Sequence, residues 1–215
     1  MKLNPLSISK LLAFILLPLS SLAQAENTQA SVEITPLIGY RMGGDFDLKE
    51  EGQSSLSSIK INDNTSYGLV IGWPFNRKQN GEFLISHYNT NFNSFSDSNE
   101  LLTDNGLGVT YYHLGGNVPV SGGALPLWVT GGLGLTHLSP DDKELANETR
   151  FSMNIGLNTQ FALSETISLR LGGRVYGTFF NSDSAIFCGT ESCKVYISSN
   201  LWIQSEVNAG LTFRF

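Results

Sequence analysis

The chain's two cysteines lie close together near its C-terminal end. Cys188 and Cys193 form a Cys-x4-Cys motif, and in an oxidising compartment two thiols at this spacing form a local disulfide. Closing so small a ring stabilises a fold by about 2 kcal/mol in the chain-entropy model. Two free thiols are one alternative, and a metal pair is another, although neither a His nor a further Cys lies nearby. We therefore predict a disulfide that stiffens one surface loop.

A second motif, His137-Leu138-Ser139, holds a base and a nucleophile two positions apart. In a nucleophilic hydrolase the His takes the proton of the Ser, and a carboxylate orients the His. The acids that could fill this third role follow shortly after the motif: Asp141, Asp142, Glu144 and Glu148. Ser139 precedes Pro140 and opens a predicted loop, and a His-x-Ser pair also arises by chance. Catalysis is therefore an alternative here, and we expect a non-enzymatic protein.

The elements that must position these residues are strands, because apolar residues recur at every second position from Ser31 onward. The last strand shows this best. One face carries Ile203, Val207, Ala209, Leu211, Phe213 and Phe215, and the other carries Gln204, Glu206, Asn208, Gly210, Thr212 and Arg214. A run of this length matches the roughly 9–11 residues of a transmembrane strand. Seven earlier segments alternate similarly, at about 31–43, 65–75, 82–92, 104–117, 126–138, 149–161 and 167–180. In the third of them it is ambiguous which set of alternate residues forms which face.

The connections between these segments alternate in length. The connections after the first, third, fifth and seventh strands are long, at about 44–64, 93–103, 139–148 and 181–200, and the others are shorter. This alternation is typical of outer-membrane barrels, in which long loops lie outside the cell and short turns lie in the periplasm. The sequence therefore predicts an all-β fold, an eight-stranded antiparallel transmembrane up-and-down β-barrel with four long extracellular loops.

The first 25 residues have the three parts of a secretory signal peptide. Lys2 and Lys10 make the start positive, residues 11–17 are apolar, and Ala23-Gln24-Ala25 is a small-residue cleavage site. The apolar run is too short to cross roughly 30 Å of hydrocarbon. We predict a cleaved signal peptide over 1–25 and a barrel domain over 26–215.

Composition excludes several classes of function. The chain has a net charge of −6, and loss of the two leader lysines leaves 11 basic and 19 acidic residues, a net charge of −8. Without a cluster of Lys and Arg it is not expected to bind nucleic acid. No Gly-rich loop precedes a helix pattern, so no nucleotide cofactor is predicted. The acidic residues of the first and third long connections could hold divalent cations. They show no calcium-loop spacing, so solvated charge is preferred and no metal site is predicted from them.

Five charged residues share the presumed inward face of neighbouring strands: Glu33, Arg41, Arg170, Arg174 and Glu206. The interior of an eight-stranded barrel is just wide enough to be filled by side chains. We predict that Arg174 and Glu206 form a bidentate pair that helps to plug the lumen. The alternative is a charged constriction in a narrow selective pore.

Two segments carry a family resemblance. The chain ends in Gly210-Leu211-Thr212-Phe213-Arg214-Phe215, and an earlier strand reads Val129-Thr130-Gly131-Gly132-Leu133-Gly134-Leu135. In both, the mature chain resembles the small outer-membrane β-barrel proteins of Gram-negative bacteria, of the OmpA/OmpX and opacity-protein type. The resemblance implies export through the periplasm, insertion among outer-membrane lipids and lipopolysaccharide, and recognition of Phe215 by the barrel-assembly machinery.

Members of that class serve as surface attachment proteins, structural anchors, narrow pores or lipid A-modifying enzymes. We favour a structural or surface-interaction role, meaning adhesion to a partner not identified or contact with lipopolysaccharide. A narrow ion or small-solute pore is the first alternative. The second is a lipid A-modifying hydrolase using His137 and Ser139, since lipid A deacylases similarly place a His-x-Ser pair and a carboxylate on the outer surface of a small barrel.

Overall fold

The structure is a computed structural model, and it describes residues 31–49, 56–76, 79–95, 101–121, 126–142, 145–180, 185–188, 193–196 and 201–215. The described residues belong to one compact unit, residues 31–215. The predicted signal peptide therefore lies outside the described residues, as does Glu144.

The described residues form strands and no helix. The strands are β1 (Glu33–Met42), β2 (Asp45–Lys49), β3 (Leu56–Ile61), β4 (Asn64–Pro74), β5 (Asn80–Phe95), β6 (Leu101–Ser121), β7 (Leu127–Pro140), β8 (Glu148–Ala162), β9 (Ile167–Phe179), β10 (Ala185–Cys188), β11 (Cys193–Tyr196) and β12 (Leu201–Arg214).

Eight of these strands close into a barrel. The ring runs β1-β4-β5-β6-β7-β8-β9-β12, and β12 pairs with β1 to complete it. Every neighbouring pair is antiparallel. Because a closed sheet leaves no strand edge unpaired, every barrel strand has a partner on both sides. The predicted fold class, a closed eight-stranded antiparallel barrel, is confirmed.

The barrel has two distinct ends. Glu33 of β1 lies opposite Arg214 of β12 at one end, which we call the terminal end. The connections after β4, β6 and β8 also lie at this end, and the other four connections lie at the opposite end, which we call the loop end. Near the terminal end the hydroxyls of Thr35 and Thr212 bond at 2.8 Å across the β1–β12 seam.

One predicted long loop is wrong. The sequence placed a connection at about 93–103, but β5 and β6 remain paired as far as Phe95 and Leu101, which leaves only 96–100 between them. This stretch is rich in Asn, Ser and Thr, which are typical of loops, but strand pairing that extends beyond a membrane needs no apolar residues. In the first loop β2 and β3 form a hairpin, and β3 continues the sheet beside β5 through Lys60 opposite Asn93.

The outward and inward faces differ sharply in polarity. Large apolar side chains are exposed on the outward face of the barrel strands, among them Ile38, Tyr67, Leu114, Leu133, Phe151, Ile155, Leu157, Ile203 and Val207. The inward face is mostly polar and buried, as the alternating pattern of β8 shows, with Ser152, Asn154 and Asn158 buried between exposed Phe151, Met153, Ile155 and Leu157. Among the described residues no helix is long and apolar enough to cross a membrane.

Candidate functional site

Glu82 of β5 forms a buried cluster inside the barrel near the terminal end. Its Oε2 accepts from Arg170 Nη2 at 2.8 Å, and its Oε1 accepts from Arg174 Nη2 at 2.6 Å. Thr130 Oγ1 donates to Oε1 at 3.2 Å, and Asn117 Nδ2 lies 3.4 Å from Oε2. The carboxylate is thus held from β6, β7 and β9 at once. We call these five residues the Glu82 cluster.

A chain of hydrogen bonds leads from this cluster toward the loop end. Arg174 Nη1 donates to Asn154 Oδ1 at 2.7 Å, and the Asn154 amide nitrogen lies 2.6 Å from His113 Nδ1. His113 Nε2 in turn lies 2.8 Å from Ser152 Oγ. All four side chains are buried. The chain therefore links β6, β8 and β9 through the lumen rather than through the barrel wall.

A second carboxylate, Glu206 of β12, forms its own cluster. Its Oε2 pairs with Arg41 Nη2 of β1 and accepts from Ser66 Oγ at 2.8 Å. Its Oε1 accepts from Asn208 Nδ2 at 2.8 Å and from the Tyr176 hydroxyl at 3.3 Å. Here a single guanidinium and several neutral donors satisfy the carboxylate. We call these five residues the Glu206 cluster.

Arg41 is enclosed by aromatic rings. Its guanidinium carbon lies 4.2 Å from the ring centroid of Tyr176, 4.9 Å from that of Tyr111 and 5.0 Å from that of Tyr88. Its Nε and Nη1 have no hydrogen-bond partner, and the guanidinium instead packs against the faces of these three rings. A cation held over desolvated rings gains about 2 kcal/mol or more per favourable contact. With Arg41 and Tyr176 both at 0% exposure, this layer fills the middle of the lumen.

A further layer closes the lumen toward the loop end. The Tyr111 hydroxyl donates to Gln204 Oε1 at 2.6 Å, and Gln204 Nε2 donates to the Tyr88 hydroxyl and to the Gly43 carbonyl. Trp202 Nε1 also donates to the Gly43 carbonyl, at 2.8 Å. The next residue, Gly44, has φ of 75°, which favours glycine. This bend brings the Gly43 carbonyl within reach of both side chains.

The predicted lumen residues are only partly brought together. Glu206 and Arg174 lie opposite each other on β12 and β9, as expected. The predicted ion pair between them is wrong, because Arg174 crosses to Glu82 and Glu206 pairs with Arg41 instead. Glu206 lies opposite an arginine on each side, Arg174 on β9 and Arg41 on β1, and it pairs with Arg41. The long Arg174 side chain instead reaches Glu82 across the lumen.

Glu33 is not part of a buried cluster. It pairs with Arg214 at 2.9 Å at the terminal end, where the Arg214 side chain is 41% exposed. Its place on the inward face is as predicted, but it lies at the terminal mouth of the barrel and not beside Arg41 or Glu206.

Sequence reasoning missed Glu82, on which two of the five predicted residues converge. The β5 segment has apolar residues on both faces, with Phe83 and Ile85 outward and Leu84 and Tyr88 inward, so its alternation was ambiguous. The even-numbered polar residues Glu82, Ser86 and Thr90, all buried, were the available pattern. His113 was also missed, because no residue next to it in the sequence marks it as a lumen residue.

The His137-Leu138-Ser139 motif lies near the loop end of β7, and the contacts of His137 and Glu148 there are made with other partners. His137 Nδ1, one of the nitrogens that a carboxylate could orient, bonds to Thr149 Oγ1 at 3.0 Å. Glu148 pairs with Arg150 at 3.0 Å. Within the described residues no group of three His, Cys, Asp or Glu side chains could hold a metal ion.

The two cysteines are positioned by a hairpin in the last loop. β10 and β11 pair antiparallel, with Cys188 directly opposite Cys193. Directly opposed residues of antiparallel strands have Cα atoms roughly 4.5–5.5 Å apart, within the range that a disulfide spans. The predicted disulfide remains a prediction.

Comparison with solved structures defines the class of fold. The outer membrane protein OprG of Pseudomonas aeruginosa superposes with a TM-score of 0.59 at 14% identity, over 86% of this chain and 96% of that one. Neisserial surface protein A superposes with a TM-score of 0.53 at 10% identity, over 86% and 97%. The outer membrane protein AlkL, solved in lipid bilayers, superposes with a TM-score of 0.50 at 12% identity, over 90% and 93%.

These likenesses establish the fold, the eight-stranded antiparallel barrel of small outer-membrane proteins. The sequence matches no protein-family model, and no curated protein matches it.

Proposed function

We propose that this protein is an outer-membrane β-barrel with a closed lumen, and that it acts through its loops and outer surface. The observation that carries the proposal is the filled lumen. Arg41, Tyr111 and Tyr176 occupy its middle with no exposed surface, and buried carboxylate clusters centre on Glu82 and Glu206. A barrel filled in this way leaves recognition to the surfaces that face lipid and solvent.

The outward face supports insertion into a membrane. Soluble monomers rarely expose contiguous apolar patches above a few hundred Å², yet exposed Leu, Ile, Val and aromatic side chains occur on seven of the eight barrel strands, all except β5. In hydrocarbon every backbone N–H and C=O group must be paired within the protein, and a closed barrel pairs those groups along both edges of each strand. Lipid, including lipopolysaccharide in the outer leaflet, is then the first partner of this surface.

The proposed orientation places the terminal end in the periplasm and the loop end outside the cell. It follows from export with a cleaved signal peptide over 1–25 and from a barrel domain whose two termini lie together. Phe215 is 75% exposed at the terminal end, where the barrel-assembly machinery would reach it. At the loop end the Cys188–Cys193 disulfide would stiffen the β10–β11 hairpin as part of the contact surface.

The first test measures ion conductance through the barrel. The mature chain is refolded in detergent, its folding is confirmed by a heat-modifiable gel band, and it is reconstituted into planar bilayers. We expect no steady conductance from the wild type. The matched variant combines Tyr111→Ala with Tyr176→Ala, which removes two rings from the middle layer and widens the lumen. We expect discrete conductance steps from this double variant. This variant also shows that insertion is detected.

Steady, salt-dependent conductance from the wild type that changes in Glu206→Ala would favour the narrow pore and contradict the closed lumen. The hydrolase alternative is tested in cells that express His137→Ala or the wild type. If lipid A has the same mass in both kinds of cell, the hydrolase alternative is removed. A mass difference between wild type and His137→Ala that also appears with Ser139→Ala would establish it.

The surface role is tested by exchanging the loop hairpin. Replacing residues 185–196 by a Gly-Ser linker of equal length leaves all eight barrel strands intact. We expect this variant to fold and insert normally while binding of whole cells to lipopolysaccharide-coated or host-cell surfaces falls. Equal binding by both forms would place the contact surface elsewhere or remove the adhesion role.

A further inference from the structure

Four barrel strands carry polar side chains in one row on the outward face, toward the loop end. His87 of β5 lies opposite Thr110 of β6, Thr110 lies opposite His137 of β7, and His137 lies opposite Thr149 of β8. Hydrogen bonds join the row in pairs. His87 Nδ1 lies 2.9 Å from Thr110 Oγ1, and His137 Nδ1 lies 3.0 Å from Thr149 Oγ1.

A second outward row lies one step nearer the loop end. Asn89 lies opposite Gly108, and Gly108 lies opposite Ser139. A Cβ at Gly108 would lie 3.6 Å from both Asn89 Oδ1 and His87 Cε1, so these two side chains lean over β6 toward β7. Beyond this row the exposed Asp141 carboxylate lies against β6. We call the outward side chains of the two rows the polar sector: His87, Asn89, Thr110, His137, Ser139 and Thr149.

The polar sector directly adjoins the apolar wall of the barrel. The next outward row toward the terminal end is apolar or aromatic on the same four strands and consists of Ile85, Tyr112, Leu135 and Phe151. Tyr112 and Tyr67, which lies opposite His87, are both exposed. Because exposed tyrosines are typical of the boundary between membrane and water, the polar sector lies at the level of the lipid headgroups.

The polar sector lies on one side of the barrel. On the opposite side the outward face stays apolar up to the strand ends, where Phe179 ends β9, Leu201 begins β12 and Met42 ends β1. All three side chains are exposed. A polar surface on one side favours a ligand bound at one place over uniform contact with headgroups around the barrel.

The chemistry of the polar sector matches a sugar better than a phosphate. Its two imidazoles, one amide and three hydroxyls both donate and accept hydrogen bonds, as sugar hydroxyls and amides require. Phosphate groups are bound above all by Arg and Lys, and the sector contains neither. The neighbouring Asp141 carboxylate would repel an anion, but it can accept a hydrogen bond from a sugar hydroxyl.

We propose that the polar sector binds the sugar headgroup of one lipopolysaccharide molecule, whose acyl chains lie on the adjoining apolar wall. The inference rests on the proposed function, which places the loop end in the outer leaflet, and it gives the proposed lipopolysaccharide contact a site. Asn89 and His137 bond to the hydroxyl and amide groups of the sugar, and Asp141 accepts from a further hydroxyl. Lipopolysaccharide fits because its headgroup is built of sugars.

Native mass spectrometry of the folded barrel in detergent tests the proposal. The protein is mixed with equal amounts of a lipopolysaccharide that lacks O-antigen and of phosphatidylglycerol. We expect the wild type to retain one lipopolysaccharide molecule, with a several-fold preference over the phospholipid. His87→Leu combined with His137→Leu makes the row apolar, and we expect the preference to fall to about one. Ser205→Leu on the outward face of β12 is the matched control and should leave the preference unchanged.

Asp141→Asn separates recognition of the sugar from recognition of its phosphates. We expect weaker retention of lipopolysaccharide, whereas unchanged or stronger retention would overturn the sugar assignment. If the double variant lacks the folded gel band, Asn89→Ala at an exposed position replaces it.

Equal retention of both lipids by the wild type, or an equal loss in Ser205→Leu, would overturn the site. Because binding is measured in detergent, such a failure leaves the closed lumen and the hairpin contact to be judged by their own tests.

Discussion

The barrel buries two carboxylates in one lumen and satisfies them by different means. Glu82 is held by two guanidinium groups, with Thr130 and Asn117 as neutral neighbours. Glu206 is held by a single guanidinium, with hydroxyls and an amide as its other donors. The Glu82 cluster has two positive charges and one negative charge, whereas the Glu206 cluster has one of each and is neutral overall.

The difference shows where each cluster is vulnerable. Removing a charged partner from a buried pair leaves the other charge uncompensated, and that penalty is usually larger than the net gain from the pair itself. Loss of the Glu82 charge would leave two cations without a counter-charge. Loss of the Glu206 charge would leave only Arg41, which three aromatic rings already enclose.

The largest effect is therefore expected for Glu82→Gln. Two uncompensated guanidinium groups should lower the free energy of unfolding by about 3–5 kcal/mol. The measurement is urea unfolding of the barrel in lipid vesicles, followed by tryptophan fluorescence. A loss below that of Glu206→Gln under the same conditions would contradict the proposed ranking of the two clusters.

A smaller loss is expected for Glu206→Gln. The amide oxygen can still accept from Asn208, the amide nitrogen can donate to the Ser66 hydroxyl, and the tyrosine faces continue to stabilise the Arg41 cation, so we expect about 1.5–3 kcal/mol. The same unfolding assay measures it. Glu206→Gln combined with Arg41→Met tests the cause, because removal of both charges should recover part of the stability. No recovery would mean that the loss comes from packing and not from an unpaired charge.

The aromatic layer is tested by a pair of changes at Tyr176, whose ring is the nearest of the three to Arg41, at 4.2 Å. Tyr176→Phe keeps the ring and loses the hydroxyl, with its 3.3 Å bond to Glu206, for an expected cost of about 0.5–1.5 kcal/mol. Tyr176→Leu also loses the cation–π contact and should cost about 1–2 kcal/mol more. Equal losses from both variants would show that the cation–π contact with the ring face does not stabilise the barrel.

The barrel itself could be predicted from sequence because alternation is a local property. In β12 the apolar residues from Ile203 to Phe213 face outward, and the polar residues between them face inward. This period of two is visible in the sequence of the strand alone, without any partner strand. The order of the strands followed from antiparallel neighbours and from both termini lying at one end. The length of the second loop could not be predicted, because polar residues pair as strands beyond the membrane just as well as they form loops.

The partners of the lumen residues could not be predicted, because a neighbour on either adjacent strand and a residue across the barrel are all within reach of a long side chain. Glu206 lies opposite both Arg174 and Arg41 and pairs with Arg41, whereas Arg174 crosses the lumen to Glu82. Which carboxylate a long arginine reaches depends on the tilt of the strands and on every side chain between them. With β5 ambiguous in alternation, Glu82 was absent from the set of candidates, and the choice of partner for Arg174 was wrong for that reason.

The smallest effect is expected at the ion pair that lies outside both clusters. Arg214 Nε and Nη2 both donate to Glu33 Oε1, at 3.1 and 2.9 Å, in a pair that water reaches at the terminal end. Because solvent screens both charges and can satisfy either one alone, Glu33→Gln should change the free energy of unfolding by about 0–1 kcal/mol. The urea assay at low and at high salt checks this, since screening should reduce any difference further. A loss as large as that of Glu206→Gln would mean that the Glu33–Arg214 pair is shielded from solvent as well as the two buried clusters are.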